Sequence, residues 1–186
     1  MAHAGQVIEN PVSGERITFR RTASDTSGEL LEIDLELTAD GHVPGKHVHP
    51  EQKERFEVRS GRMRFRLGRE TIVAGPGDVV VVPAGKAHKF ENVGDGPARA
   101  RVQVTPALRM EQLFETSVEL ARSGRTTSKG MPMPLDLALL TREFAREVQG
   151  AFPPVWVQRA ALAPLAWVAR KRGLDERYER PRPAYA

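Results

Sequence analysis

The sequence predicts a mainly β domain followed by a helical region, and two rhythms in the apolar residues carry this prediction. As far as about Thr105, apolar and polar residues alternate with a period of two, which is the pattern of strands that bury one face. From about Pro106 the apolar residues recur every three to four positions, as in amphipathic helices. Gly and Pro turn signals are frequent in the first part and no helical pattern interrupts it, so we expect an antiparallel sandwich or barrel there.

The strands of the first part are the most regular feature of the chain. In "LLEIDLEL", residues 30–37, leucine and isoleucine alternate with acidic residues. The stretch "RFEVRSGRMRFRLG", residues 55–68, alternates on both sides of Ser60-Gly61 and predicts a β-hairpin with its turn at that dipeptide. The segments "DVVVVP" and "ARARVQV" add an apolar strand ended by Pro83 and a further alternating strand.

Three helices are predicted in the second part. The first carries an apolar stripe and stops near Gly124; the stripe is Met110, Leu113, Phe114, Val118 and Ala121. A linker, "RTTSKGMPMP", separates it from a second helix that reaches Gly150, with the stripe Leu137, Leu140, Thr141, Phe144 and Val148. The third runs from Val155 to Gly173 with a kink at Pro164, and the tail "ERPRPAYA" is expected to be frayed.

These patterns divide the chain into a β domain at residues 1–105 and a helical extension at residues 106–186, which we expect to pack on the β domain or on a partner subunit. The stretch "LAPLAWVARKRG" near the end combines apolar turns with a basic cluster. A membrane-surface anchor is one interpretation of it, and a packed helix is the favoured one.

The composition excludes several kinds of chemistry. The 186 residues contain no cysteine, which removes disulfides, thiolate nucleophiles and cysteine metal ligands. The net charge is only +4 and no block of like charge resembles a nucleic-acid-binding arm, so we expect no nucleic-acid partner. No charged segment followed by an apolar run opens the sequence, and no apolar run is long enough to span a bilayer. We therefore expect a cytoplasmic protein with no membrane partner.

Arginines follow the outward face of the predicted hairpin. They are Arg55, Arg59, Arg62, Arg64 and Arg66. A solvated sheet face that discourages edge-to-edge pairing is the favoured interpretation, with an anion site or a dimer contact as the alternative.

Two histidines and a glutamate near residue 50 predict a metal site. His47 and His49 are two residues apart, so on a strand both imidazoles point the same way, about 6.5–7 Å from each other. Glu54 is in phase with Phe56 and Val58, whose face should be the buried one. A carboxylate in phase with a core is costly unless something neutralises it, and a cation shared with the histidines would do so.

His88 is the fourth member of this predicted site. It follows the turn "PAGK" in phase with Phe90 and should also point inward. Three imidazoles and one carboxylate are a mixed nitrogen and oxygen set that suits one divalent transition metal, namely Fe, Mn, Ni, Cu or Zn. Such a set leaves coordination positions open for water or substrate.

The spacing of these residues resembles the two sequence motifs of the cupin superfamily. Gly41, His47, His49, Glu54 and Gly61 match the first motif, G-x5-H-x-H-x4-E-x6-G, and Gly77, Pro83, Gly85, His88 and Asn92 match the second, G-x5-P-x-G-x2-H-x3-N. The resemblance covers roughly residues 30–105, with its core at 41–92. It implies a single antiparallel jelly-roll β-barrel with a metal inside, held by His47, His49, Glu54 and His88, and often a homodimer. Asn92 and the motif glycines are expected to set turns.

The resemblance leaves the reaction open. A metal-dependent enzyme acting on a small organic molecule is the main hypothesis, with dioxygenase-like, isomerase or cyclase chemistry, and a non-catalytic small-molecule-binding or sensing protein is the alternative. Glu54 or a metal-bound water is the candidate for acid–base work, because the chain has no thiol and no further inward-facing acid or histidine stands out in the sequence. The expected substrate wall consists of Gln52, Phe56, Met63, Phe65 and Phe90. His42 is expected to be solvent-exposed rather than a fifth ligand.

Overall fold

The computed structural model describes residues 2–178 and shows two antiparallel sheets with a helical extension. The strands of the β domain are β1 (Val7–Asn10), β2 (Glu15–Arg21), β3 (Leu31–Leu37), β4 (His47–Val48), β5 (Lys53–Ser60), β6 (Met63–Leu67), β7 (Glu70–Ala74), β8 (Val79–Val82), β9 (His88–Asn92) and β10 (Ala98–Thr105). The extension contains α1 (Met110–Arg122), α2 (Pro134–Glu143), β11 (Gln149–Gly150) and α3 (Val155–Lys171). Short 3-10 turns lie at Ser24–Thr26 and Asp175–Arg177. The tail "ERPRPAYA" lies outside the described residues.

The strand order confirms a jelly-roll arrangement. One sheet has the order β1-β2-β3-β10-β5-β8 and the other β11-β4-β9-β6-β7. Aromatic rings join the two sheets in one core: Phe56 of the first sheet lies 5.1 Å, between ring centroids, from both Phe65 and Phe90 of the second. Alternate residues of β3, β5 and β10 are buried, as the period of two predicts.

The predicted hairpin at Ser60-Gly61 is wrong. Among the described strands, β5 pairs with β8 and β10, whereas β6 pairs with β7 and β9, so the turn carries the chain from one sheet to the other. Gly61 has a φ of +76°, and a Cβ there would lie 2.6 Å from the Cα of Ala98. Only glycine fits this crossing, because the turn is pressed against β10. Alternation alone could not show the crossing, because both strands bury one face in either arrangement.

Asn92 fixes the turn between β9 and β10, as the second motif predicts. Its side-chain nitrogen donates to the carbonyls of Thr38 and Gly96 at 2.7 and 2.8 Å, and its side-chain oxygen accepts from the backbone N–H of Gly94 at 2.9 Å. These bonds satisfy backbone groups that have no strand partner, and so tie the loop after β3 to the loop after β9.

The extension departs from the predicted helices at one point. α1 and α3 occupy the predicted segments, and Gly124 follows α1 with a φ of +68°. The second helix, however, ends at Glu143 rather than at Gly150, and Gln149 and Gly150 form β11 instead. β11 pairs with β4, so the extension adds an edge strand to the second sheet. The second helix ends early because the free edge of β4, which is distant in sequence, offers backbone hydrogen-bond partners to residues 149–150.

The extension and the β domain share one hydrophobic core. Leu113 and Val118 of α1, and Leu139 and Phe144 of the second helical segment, belong to the same buried cluster as the sheet residues. Buried Arg109 joins the helices, since it donates to Gln112 Oε1 at 2.8 Å and to Glu143 Oε1 at 2.6 Å. The part of the extension that contains α1 and α2 therefore packs on the β domain.

The outer surface carries the predicted arginines, most of them paired with acidic neighbours. Arg64 and Arg66 approach Glu91 at 3.1 and 3.8 Å, and Arg55 and Arg59 approach Glu57 at 3.1 and 2.9 Å. These contacts are those of a solvated sheet face. Large apolar side chains of the extension are also exposed, among them Trp156 and Trp167. No helix in the described part of the chain is long and apolar enough to cross a membrane.

Candidate metal centre

Three histidines meet at one point between the two sheets. His47 of β4 lies directly opposite His88 of β9, and His49 follows β4 on the same face. The ring centroids are 4.3 Å apart for His47 and His88, 4.8 Å for His47 and His49, and 5.2 Å for His49 and His88. One nitrogen from each ring lies within 4.8 Å of the others, so the three side chains are positioned to hold a metal ion.

Backbone carbonyls select the nitrogen that each histidine can offer. The Nδ1 atoms of His47 and His88 lie 3.1 Å from the carbonyl oxygens of Gly45 and Lys86, and Nδ1 of His49 lies 2.5 Å from that of Glu147. A carbonyl can only accept a hydrogen bond, so each Nδ1 carries the proton and donates it. Each Nε2 therefore keeps a lone pair directed into the site, which is the form that binds a metal.

Glu54 of β5 completes the cluster from the opposite sheet. Its Oε2 lies 2.8 Å from His88 Nε2, and its Oε1 lies 3.5 Å from His49 Nε2. Both Glu54 Oε2 and His88 Nε2 are buried and lack a partner with hydrogen-bond geometry. A carboxylate oxygen facing an imidazole lone pair is unfavourable unless a cation lies between them, because both atoms are electron-rich. The three histidines are positioned to hold a cation, and the Glu54 carboxylate lies beside them.

The protonation states also suit metal binding. Burial alone would raise the pKa of Glu54, but positive charge on the neighbouring imidazoles outweighs it and lowers the pKa to about 2, as the positive charge of a bound cation would. Burial, with the two other imidazoles, lowers the pKa of His47 to about 3. At neutral pH the glutamate is therefore ionised and His47 is neutral, as metal ligands must be.

The cluster opens into a cavity of about 470 Å³. His47, His49 and Glu54 face this cavity, while His88 is fully buried and does not line it. Most of the wall is apolar and comes from both parts of the chain; it includes Ile17, Ile33, Leu35, Phe56 and Phe90 of the β domain and Met110, Leu113, Phe114, Met131, Leu137, Leu140 and Phe152 of the extension. The extension thus covers the open end of the jelly roll.

The predicted substrate wall needs correction at three positions. Phe56 and Phe90 line the cavity, but Gln52, Met63 and Phe65 do not. Met63 and Phe65 are fully buried in the core, because their side of β6 faces the other sheet rather than the opening. Gln52 is fully buried as well, and its side-chain nitrogen donates to the carbonyls of Pro106 and Ala107 at 3.0 and 2.9 Å. Its contacts hold the start of the extension against the β domain.

His42 lies apart from the cluster. It is half-buried, its Nδ1 lies 3.0 Å from the carbonyl oxygen of Asp40, and it is not among the three histidines whose nitrogens meet. The expected solvent exposure of His42 is therefore only partly met.

Sequence reasoning missed one acidic residue in the cavity wall, Glu15. It opens β2 and shares the inward face of that strand with Ile17 and Phe19. Its Oε2 accepts a hydrogen bond from the Ser13 hydroxyl at 2.6 Å. The period of two in "ERITF" already places Glu15 in phase with buried residues, and that signal would have found it.

A jelly roll that brings three histidines together beside a glutamate, at the edge of a cavity, is an arrangement typical of small cupin domains. Sequence comparison agrees, since residues 35–104 match the family model described as "Cupin domain". Residues 35–104 of the chain therefore form a cupin domain.

Two curated relatives come from Streptomyces. The chain is 29% identical to the "Tetracenomycin polyketide synthase protein TcmJ" of Streptomyces glaucescens, over 50% of this chain and 61% of that protein. It is 31% identical to the "Polyketide synthase CurC" of Streptomyces cyaneus, over 46% of this chain and 53% of that protein. The chain thus spans less than two thirds of the length of either relative. Among solved structures, the polyketide cyclase RemF from Streptomyces resistomycificus is 20% identical, with a TM-score of 0.48, over 56% of this chain and 78% of that one.

Proposed function

We propose that the chain is a metal-dependent cupin enzyme that closes a ring in an apolar small molecule bearing several ketone groups. The observation that carries the proposal is the placement of His47, His49 and Glu54 at the wall of a mainly apolar cavity. The names of the two curated relatives support a polyketide-like substrate, that is, a carbon chain with repeated carbonyl groups. Ring closure needs no external oxidant, in contrast to dioxygenase-like cleavage.

The four proposed ligands are His47, His49, Glu54 and His88, and a divalent ion held by them would polarise a carbonyl oxygen of the substrate as a Lewis acid. The remaining work falls to the chain itself. The apolar wall binds the carbon skeleton by excluding water from it. Contacts with Leu113, Leu137 and Leu140 of the extension hold the molecule folded, so that two of its carbons approach each other.

Incubation of the metal-loaded chain with a synthetic linear aryl triketone tests the proposal. We expect a cyclic isomer of the triketone, or its dehydration product, to form faster than in buffer, as followed by mass and ultraviolet absorbance. The chelator-treated chain and the His49→Ala variant should lose most of this activity, because both lack the intact ligand set. The His42→Ala variant, which changes a histidine outside the cluster, serves as the control and should retain it.

A chain that binds the triketone but never transforms it, with or without metal, would contradict the proposal. That result favours the alternative function of a non-catalytic small-molecule-binding protein. Cleaved and oxygenated products would instead point to dioxygenase-like chemistry.

A further inference from the structure

An acidic side chain stands in the cavity wall outside the metal cluster. Glu15 lies at the start of β2, with Asn10 of β1 and Leu37 of β3 as its cross-strand neighbours. It lines the same cavity as His47, His49 and Glu54. Glu54 is one of the proposed metal ligands, so its carboxylate would be engaged with the ion and not free to carry a proton. Ring closure between two carbonyl groups nevertheless needs a group that takes up a proton and returns it.

The surroundings of Glu15 suit it to that task. Burial raises the pKa of Glu15 to about 7, an effect only partly offset by the Ser13 hydroxyl and by the nearby His42. Its two cross-strand neighbours carry no charge. The ammonium group of Lys46, another cavity residue, is turned to the carbonyl oxygen of Gly68, to which it donates at 2.6 Å. A carboxyl group that is partly protonated at neutral pH is the form that efficient acid–base catalysis requires.

We infer that Glu15 is the residue that carries the proton during ring closure, an inference that rests on the proposed function. The Glu15 carboxylate removes a proton from a carbon next to one ketone. The electron pair of that C–H bond forms the new C–C bond to the carbonyl carbon of a second ketone. The π electrons of the second carbonyl move to its oxygen, and the Glu15 carboxyl group returns the proton there. The product is an isomer of the substrate, and no oxidant or reductant takes part.

The first test follows the Glu15 carboxyl group by ¹³C NMR in the full chain, treated with chelator and without substrate. A resonance that titrates near pH 7 and is missing from the Glu15→Gln variant is expected. Titration of that resonance at the ordinary glutamate value of 4.5 overturns the inference. This readout needs neither metal nor turnover, so it stands even if the proposed function fails.

The second test measures proton removal directly. The methyl protons of acetophenone exchange slowly in neutral D₂O, and the metal-loaded chain should accelerate their exchange, with a rate that rises through the pKa of Glu15. Glu15→Gln should lower the rate by about 100-fold or more, the usual worth of a general base. Glu9→Gln is the matched control, because Glu9 is an exposed glutamate of the neighbouring strand, paired with Arg16 at 2.9 Å. It should leave the rate within a factor of about two.

Three outcomes separate the two proposals. If wild type accelerates the exchange and Glu15→Gln accelerates it equally, the role of Glu15 is overturned. The role is also overturned if wild type does not accelerate the exchange at all. Exchange that needs Glu15 but is unaffected by chelator or by His49→Ala supports the role of Glu15 and contradicts the metal-dependent function.

Ser13→Ala should shift the midpoint of the pH profile of proton exchange upward, because the Ser13 hydroxyl stabilises the ionised carboxylate of Glu15.

Discussion

At the scale of single residues, the candidate metal centre depends on which imidazole nitrogen of each histidine is left free by hydrogen bonds to the backbone. All three histidines give the Nδ1 proton to a carbonyl oxygen, so all three present Nε2. The sequence motif supplies the histidines and the glutamate, and their phase on the strands was sufficient to predict that they point inward. The choice of nitrogen could not be predicted, because one of the three carbonyls belongs to Glu147, which is 98 residues away from His49.

Glu15 carries a prediction about stability. In the folded chain its pKa is about 7, above the ordinary 4.5, so between these values the folded state binds more protons than the unfolded state. The free energy of unfolding should therefore fall as the pH rises from 4.5 to 7. Above pH 7 the ionised Glu15 carboxylate lowers the free energy of unfolding by about 1–2 kcal/mol. This figure is smaller than the energy equivalent of the whole pKa shift, because solvent partly screens the charge.

The variant Glu15→Gln should remove this cost, because glutamine keeps an oxygen for the Ser13 hydroxyl and has no charge to bury. We expect it to be more stable than wild type at pH 8 and equally stable at pH 4. Urea unfolding of the full chain at both values measures the difference. Equal stability at pH 8 would mean that the cavity does not disfavour the charged form.

At the scale of secondary-structure elements, β11 is the segment that connects the extension to the centre. It pairs with β4, which carries His47, and the residue two positions before it accepts the hydrogen bond of His49. The sequence predicted helix here because Phe144 and Val148 keep a helical spacing. Pairing with β4 overrides this local helical pattern. It could not be predicted from the pattern, because the free edge of β4 exists only once the sheet has assembled.

Glu147 tests the importance of this connection. Its side chain is buried, and Oε1 accepts from the backbone N–H of Arg109 at 3.1 Å, which fixes the position of the carbonyl that holds His49. Glu147→Ala should weaken metal binding by about tenfold, the usual effect of loosening a contact behind a ligand. Glu147→Gln keeps the accepting oxygen and should bind metal as wild type does.

Metal affinity of the three proteins is measured by calorimetry at a temperature where circular dichroism shows that each is folded. Equal affinity for Glu147→Ala and wild type would show that the sheet orients His49 without help from the extension.

At the scale of the whole molecule, the cavity belongs to both parts of the chain. The jelly roll and its donor set could be predicted from alternation and from two motifs, because a period of two and fixed spacings are local properties. The covering of the cavity by the extension could not be predicted. An apolar stripe shows that one face of a helix is buried, but it does not show which surface that face packs against. The assignments of Met63 and Phe65 to the wall failed for the same reason: phase places a side chain inside but does not separate core from cavity.

Filling the cavity should weaken ligand binding without unfolding the chain. Ser117 of α1 lines the cavity and is half-buried, so Ser117→Trp places a large ring in the open space. We expect the affinity for 1-naphthol, an apolar aromatic probe, to fall at least about tenfold, with the melting temperature nearly unchanged. Ser128→Trp, at an exposed turn outside the cavity, is the control and should bind 1-naphthol as wild type does. Unchanged binding by Ser117→Trp would place the ligand elsewhere.

The predicted homodimer remains a prediction for this chain. The exposed Phe152, Trp156 and Trp167 of the extension provide apolar surface for such a contact. Sedimentation velocity of the full chain decides between one and two copies, and a single species with the mass of one chain would contradict the prediction.

Metal binding is the central claim, and titration of the chelator-stripped full chain with Mn, Fe(II), Ni and Zn tests it most directly. The four donors should take up one ion per chain of at least one of these metals, with release of protons to the buffer. His47→Ala should weaken that binding by about 100-fold or more, while His42→Ala, outside the cluster, should match wild type. A wild-type chain that remains metal-free in excess of all four ions, or binding that is unchanged in His47→Ala, would contradict the account.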